Sequence, residues 1–262
     1  MKKRISPYEK ELSRLLKDEG AFKKKYAEKN ESLLNRLLAD KVPAGLQNTL
    51  DAAFAKAFGL VFEKGTGIIE RSYNRDEQEK RFKIAEFTAQ LRGDSKSLRS
   101  FSKKAAAGKA LNTTVSGAAG MGMGFLGIGI PDIAVFTALL LKNIYETALS
   151  FGFEYDSETE RSFILKLIRT AVCYGEEFDR ADRELDEYIK SGSFESSDVR
   201  DALIKQAAGA LSKDLLYMKF LQGIPVVGIV GGAYDAVFMQ RIGTYAELKY
   251  RKRFFYNMKE NC

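Results

Sequence analysis

Histidine and tryptophan are absent from this 262-residue chain, and cysteine occurs only at Cys173 and Cys262. Without histidine the commonest general base and the commonest metal ligand are gone, which excludes Ser-His-Asp triads, His-metal centres and zinc fingers. Two cysteines so far apart exclude a disulfide framework and a Cys-rich metal site, and they fit a reducing cytoplasm. Period-two alternation of apolar residues is also missing, so strands are not expected and the fold class reads as all-α. The N-terminal MKKR is followed by ISPYEKELSRLL rather than by a continuous apolar core, so no signal peptide is expected.

What the chain does have is long uncharged stretches. Ala110 to Leu141 carries one charge, Asp132, and six glycines between Gly117 and Gly129, ahead of Pro131. A shorter counterpart, Phe220 to Gln240, again has one charge, Asp235, and a break at Gly223-Ile224-Pro225. Both read as apolar helical hairpins, so the expected architecture is a helical bundle organised around two Gly-rich hairpins. Gly120/Gly124 and Gly228/Gly232 have the GxxxG spacing that lets helix backbones approach closely, in membranes and in tightly packed soluble pairs alike. Both segments reach the roughly 18 apolar residues a span requires. The Gly/Pro breaks, and an aspartate costing about 2.5–3.5 kcal/mol at bilayer depth, favour a core or re-entrant hairpin over two true spans. All three readings stay open at this level.

Charge is segregated along the chain, which has a net charge of +7 and 29% charged residues. Residues 1–36 hold 11 basic and 6 acidic side chains, and residues 92–109 hold 6 and 1. Residues 154–201 reverse this with 7 basic against 14 acidic, and from Arg241 onward there are 6 basic and 2 acidic. Basic blocks therefore flank the apolar hairpins, with an acidic block between them. A pI near 9 could suggest nucleic acid, but the basic blocks lack interleaved exposed aromatics, so nucleic acid is not an expected partner.

Helix signals recur along the chain. Ser6-Pro7-Tyr8-Glu9 is an N-cap, N1 proline and capping box, and Ser157-Glu158-Thr159-Glu160 repeats the box. An arm over residues 1–44 ends at Pro43, and a helical domain follows over 45–262. Leu50, Phe54, Ala57, Phe58 and Val61 mark one helix face, and Ile68 to Arg92 reads as one further helix. Ile133 to Leu141 is apolar on all sides, predicting full burial. Phe163, Ile164, Leu167, Ile168 and Ala171 mark another face, and Phe178, Ala181, Leu185, Tyr188 and Ile189 mark that of a short acidic helix. Asp198 is the expected cap of the next helix, and the last one runs from about Val226 past Tyr250.

No chemical signature stands out. Gly122-Met123-Gly124-Phe125-Leu126-Gly127 matches G-x-G-x-x-G by letter, but small-residue helical sequence precedes it where the dinucleotide fold needs a strand. Asp132 lies in a first helical turn, where the dipole favours a carboxylate. Asp235 sits inside a helix and calls for a cation, with Arg241 or a neighbouring helix as candidates. Glu176, Glu177, Asp179, Asp182 and Asp186 alternate with Arg180 and Arg183, the pattern of a solvated face rather than a metal site. No catalytic residues, metal or cofactor are expected.

The order of these features resembles the EcsC family. The resemblance is carried by GFLGIGIPDIAVFTALLLKNIYETA, by FGFEYDSETE and by IPVVGIVGGAYD followed by YAELKYRKRF, within roughly Leu46 to Phe255. It implies a hydrophobic, membrane-associated bacterial protein, with an ABC-transporter context and no catalytic residues to carry over. The expected function is non-enzymatic, at the cytoplasmic face of the cell membrane. Lys103, Lys104, Lys109, Arg251, Lys252 and Arg253 would face anionic lipid, and Pro131, Asp132, Pro225, Tyr234, Asp235 and Arg241 would form the hairpin breaks and their buried polar groups. The alternative is a soluble helical module enclosing an apolar ligand such as an acyl chain, with Tyr234 or Asp235 at its mouth.

Overall fold

The computed structural model describes residues 6–28, 41–43, 45–63, 67–70, 73–92, 96, 98–101, 131–194, 199–222 and 228–260. The regular structure among them is helical: α1 (Pro7–Lys25), α2 (Leu46–Glu63), α3 (Gly67–Glu70), α4 (Arg75–Arg92), α5 (Pro131–Ser150), α6 (Glu158–Val172), α7 (Gly175–Ser191), α8 (Arg200–Gln222) and α9 (Gly228–Glu260). The protein is all-α. Both glycine-rich breaks, at Gly117–Gly129 and at Gly223–Pro225, lie outside the described residues, as do Phe125 to Gly127 and Asp198.

Local chemistry sets several boundaries. Ser6 Oγ accepts from the Glu9 N–H at 3.1 Å while the Glu9 carboxylate accepts from the Ser6 N–H at 2.8 Å, so the capping box closes on both sides. At α6 only one half matches the sequence reading. Ser157 Oγ accepts from the Glu160 N–H at 3.1 Å, but the Glu160 carboxylate turns into the core. The single helix expected over Ile68 to Arg92 is divided. Asn74 Oδ1 accepts from the Glu77 N–H at 3.0 Å and opens α4 as an N-cap, which separates it from α3.

The most enclosed helix is α6, where Phe163, Ile164, Leu165, Leu167 and Ile168 are at most 1% exposed. Each such side chain contributes roughly 1.5–3 kcal/mol on burial, and α6 contacts α7, α8 and α9. α8 packs along α2, and α5 packs against α2, α4 and α9. α5 departs from the all-round burial expected of it: Ile133, Phe136, Leu140 and Leu141 are buried, but Val135, Ala138 and Leu139 are only half-buried. Its segment Ile133–Ser150 is long and apolar enough to cross a membrane by length and composition, and 61% of it is buried inside the fold.

Two glycines permit close approaches. Gly152, at φ +81, follows α5, and a Cβ there would overlap the ring of Phe82 from α4. Gly243 brings α9 against Asn143 of α5, where a Cβ would stand 3.1 Å from Asn143 Oδ1. The N-terminal arm docks: Leu15 is fully buried, Tyr8 stacks edge-on against Phe255, and Phe22 packs against Tyr245 and Phe178.

Candidate functional site

The C-terminal half of α9 gathers the strongest concentration of charge. Lys249 and Lys252, one turn apart on one face, meet acids from two other helices. Lys249 Nζ lies 3.1 Å from Glu19 of α1 and 2.7 and 2.6 Å from Asp182 and Asp186 of α7. Lys252 Nζ lies 2.9 Å from Glu19 and 2.7 Å from Asp186. Tyr245 donates its hydroxyl to Asp182 at 2.5 Å. Burial opposes the charge on Lys249, yet Asp182, Asp186 and Glu19 outweigh it and hold the ammonium above the usual lysine range.

Two adjacent cations continue the arrangement. Arg251 pairs with Asp18 at 3.0 Å. Arg253 reaches Glu160 at 2.6 Å and lies over the rings of Phe153, Phe163 and Tyr188 at 4.2 to 5.3 Å. Glu160 also accepts from the buried Tyr250 hydroxyl at 2.7 Å. Arg251, Lys252 and Arg253 were expected to face lipid; the structure turns them inward instead. Their exposed side-chain fractions are 11%, 7% and 18%, because Asp18 and Glu19 of α1, Glu160 of α6 and Asp186 of α7 supply the anions they neutralise. The acidic helix is corrected by the same contacts. Glu176 and Glu177 are solvated, whereas Asp182 and Asp186 point at lysine ammonium groups.

Arg241 occupies a separate buried site on the same helix. Its guanidinium donates to the Cys173 carbonyl at 2.8 Å and to Tyr174 at 2.5 Å, lies 3.4 Å from Asp214, and stacks over Tyr26 and Tyr174. The carboxylate it meets thus comes from α8. Burial, reinforced by Asp214, pushes the Tyr174 hydroxyl up to about 12. Asp235 and Tyr234 lie in the described backbone of α9, and Pro131 and Asp132 open α5, but their side chains are outside the described set. Lys103, Lys104, Lys109 and Pro225 also lie outside it.

A further polar cluster joins α3, α4 and the α5–α6 turn. Tyr73 donates to Tyr155 at 2.6 Å, Tyr155 donates to Glu70 at 2.6 Å, and Arg75 bonds Glu70 and Asp156 at 3.2 and 2.7 Å. Tyr145 stacks on Tyr155 with ring centroids 4.2 Å apart. Burial first, then the Glu70 hydrogen bond, holds the Tyr155 phenol well above its ordinary range. The cluster was not anticipated, although Asn74 as a helix cap would have placed Glu70 and Arg75 on either side of a turn.

Chemically these arrangements lock charge in place. The shifted tyrosines are all pushed away from deprotonation, so none is poised as a base near neutral pH. Among the described residues, no group of three or more His, Cys, Asp or Glu side chains is arranged to hold a metal. Glu19, Asp182 and Asp186 instead enclose the Lys249 and Lys252 ammonium groups.

Fold and site together define an all-helical protein interlocked by buried ion pairs along one long C-terminal helix. The chain belongs to the EcsC protein family, whose model matches residues 8–255, a stretch that takes in α1. No curated protein and no solved structure matches it.

Proposed function

We propose that this protein associates with the cytoplasmic face of the bacterial cell membrane as a non-enzymatic peripheral or hairpin-inserted protein. One observation carries the reading: Ala110 to Leu141 holds a single charge, and the segment before it, 92–109, holds 6 basic residues against 1 acidic. An apolar segment next to a basic block suits a bilayer whose headgroups are anionic. The half-buried Val135, Ala138 and Leu139 on α5 support it, since they continue apolar surface outward from the core. Lys103, Lys104 and Lys109 are the basic side chains assigned to lipid. Arg251, Lys252 and Arg253 hold the fold together instead.

Sedimentation with vesicles containing phosphatidylglycerol tests this. Each basic side chain near such a surface is worth about 1 kcal/mol, so reversing Lys103, Lys104 and Lys109 to glutamate should weaken binding about a hundredfold or more. Wild-type protein that remains in the supernatant at low salt overturns the reading. Lipid extracted from purified protein in fixed stoichiometry would point instead to an enclosed acyl chain.

A further inference from the structure

α9 changes character at Arg241. Three helix ends converge on that guanidinium. It lies 4.3 Å from the ring of Tyr26, which closes α1. It donates to the carbonyl of Cys173, which closes α6, and to the hydroxyl of Tyr174, which opens α7. From there to its C-terminal half α9 is sheathed by those three helices, and Ile242, Tyr245, Tyr250 and Phe255 are at most 2% exposed. In the other direction α9 continues from Gln240 back to Gly228, 13 residues or about 20 Å beyond the three ends. None of the side chains described there, Ala236 to Gln240, is buried, and Val237 is 54% exposed. Charge changes at the same residue. Gly228 to Gln240 carries only Asp235, whereas Arg241 to Glu260 carries six basic and two acidic side chains. Arg241 also lies 3.4 Å from Asp214 of α8, whose remaining turns carry one charge, Lys219, and the five residues joining α8 to α9 carry none.

We propose that the helix pair beyond Arg241, the end of α8 and Gly228–Gln240 of α9, enters one leaflet of a bilayer and stops there. Burial and charge that change together at one level along a helix are what a planar boundary between water and hydrocarbon selects. A protein partner sorts side chains by the face of a helix instead, not by position along its axis. About 20 Å of projecting helix passes the headgroups and reaches the middle of a hydrocarbon layer roughly 30 Å thick, but does not cross it. Asp235 is six residues from Arg241, about 9 Å out, near the headgroup boundary rather than in the interior where a carboxylate costs most. Lys219 is five residues past Asp214, a depth from which a lysine returns its ammonium to the headgroups. The inference rests on the membrane reading above and narrows it to one hairpin and one leaflet.

The absence of tryptophan provides the probe. Val230→Trp and Val237→Trp would each introduce a lone indole, about 16 and 6 Å beyond Arg241. On vesicles of phosphatidylcholine and phosphatidylglycerol the emission of Val230→Trp should shift to the blue. Lipid brominated near the chain end should quench it more strongly than lipid brominated near the headgroup, and Val237→Trp should show the reverse order. Both patterns should persist in molar salt, which screens headgroup charge. Val237→Glu should lower the vesicle partition coefficient about tenfold or more while leaving the melting temperature near wild type, because that side chain is more than half exposed. Wild type that binds these vesicles with neither indole quenched overturns the insertion and leaves a peripheral membrane protein. Wild type that binds no vesicle overturns both readings. Quenching of Val230→Trp by a soluble quencher trapped inside the vesicles overturns the one-leaflet depth. Emission already blue without lipid and unchanged by vesicles also overturns the insertion. Sedimentation then assigns the hairpin to a second copy if the protein is a dimer, and to cover by its own chain if it is a monomer.

Discussion

Lys249 Nζ lies 2.6 Å from Asp186 Oδ1, and only 1% of the lysine side chain meets solvent. An ion pair so enclosed contributes little net stability when intact, but removing one partner leaves an uncompensated buried charge. Lys249→Met would take the lysine from Asp182 and leave Lys252 alone to balance Glu19 and Asp186, and it should cost about 3 kcal/mol by denaturant titration. A loss under about 1 kcal/mol would mean that water reaches the cluster and the interlock of α1, α7 and α9 is wrong.

Asp186 should also set an acid limit. Burial by itself would raise its carboxyl, but Lys249 and Lys252 outweigh that and hold it below its ordinary value. A depressed folded-state pKa stabilises the protein above the unfolded value near 3.9 and is lost as pH falls through the folded value. The guanidinium midpoint should therefore drop as pH is lowered below about 4, and Asp186→Asn should flatten that drop. Equal acid slopes in the two proteins would assign the effect elsewhere.

The two partners at the start of α6 should separate. Ser157→Ala removes an N-cap and should cost about 1 kcal/mol. Glu160→Gln, three residues on, removes the charge that Arg253 meets at 2.6 Å and should cost about 3 kcal/mol. Similar losses for both would mean that Glu160 serves the cap rather than the core.

Gly152→Ala forces a left-handed residue and drives a methyl into the Phe82 ring, so it should cost about 2 kcal/mol or more. Combined with Phe82→Leu the losses should be less than additive, because the smaller side chain relieves the overlap. Strict additivity would show that the ring and the turn do not touch.

Cys173 is buried, and burial, reinforced by Glu177, pushes its thiol up to about 11. In a Cys262→Ser background its modification by a disulfide reagent at pH 8 should track global unfolding. Fast labelling of the native protein would contradict the packing around α6.

Much of this protein follows from local pattern, and the structure bears it out. The absence of alternation set the all-α class, the Ser6 box starts α1, and the acidic helix buries the same five residues its period marks, Phe178, Ala181, Leu185, Tyr188 and Ile189. The acidic and basic blocks were equally visible, yet composition does not say whether a lysine meets a lipid phosphate or an aspartate 63 residues away. That depends on which helices pack together, and α9 laid against α1, α6 and α7 decided it. The same holds for Val237 and Ile242: both are apolar residues of one helix, yet the first is exposed and the second fully buried, because α1, α6 and α7 all end at Arg241 between them.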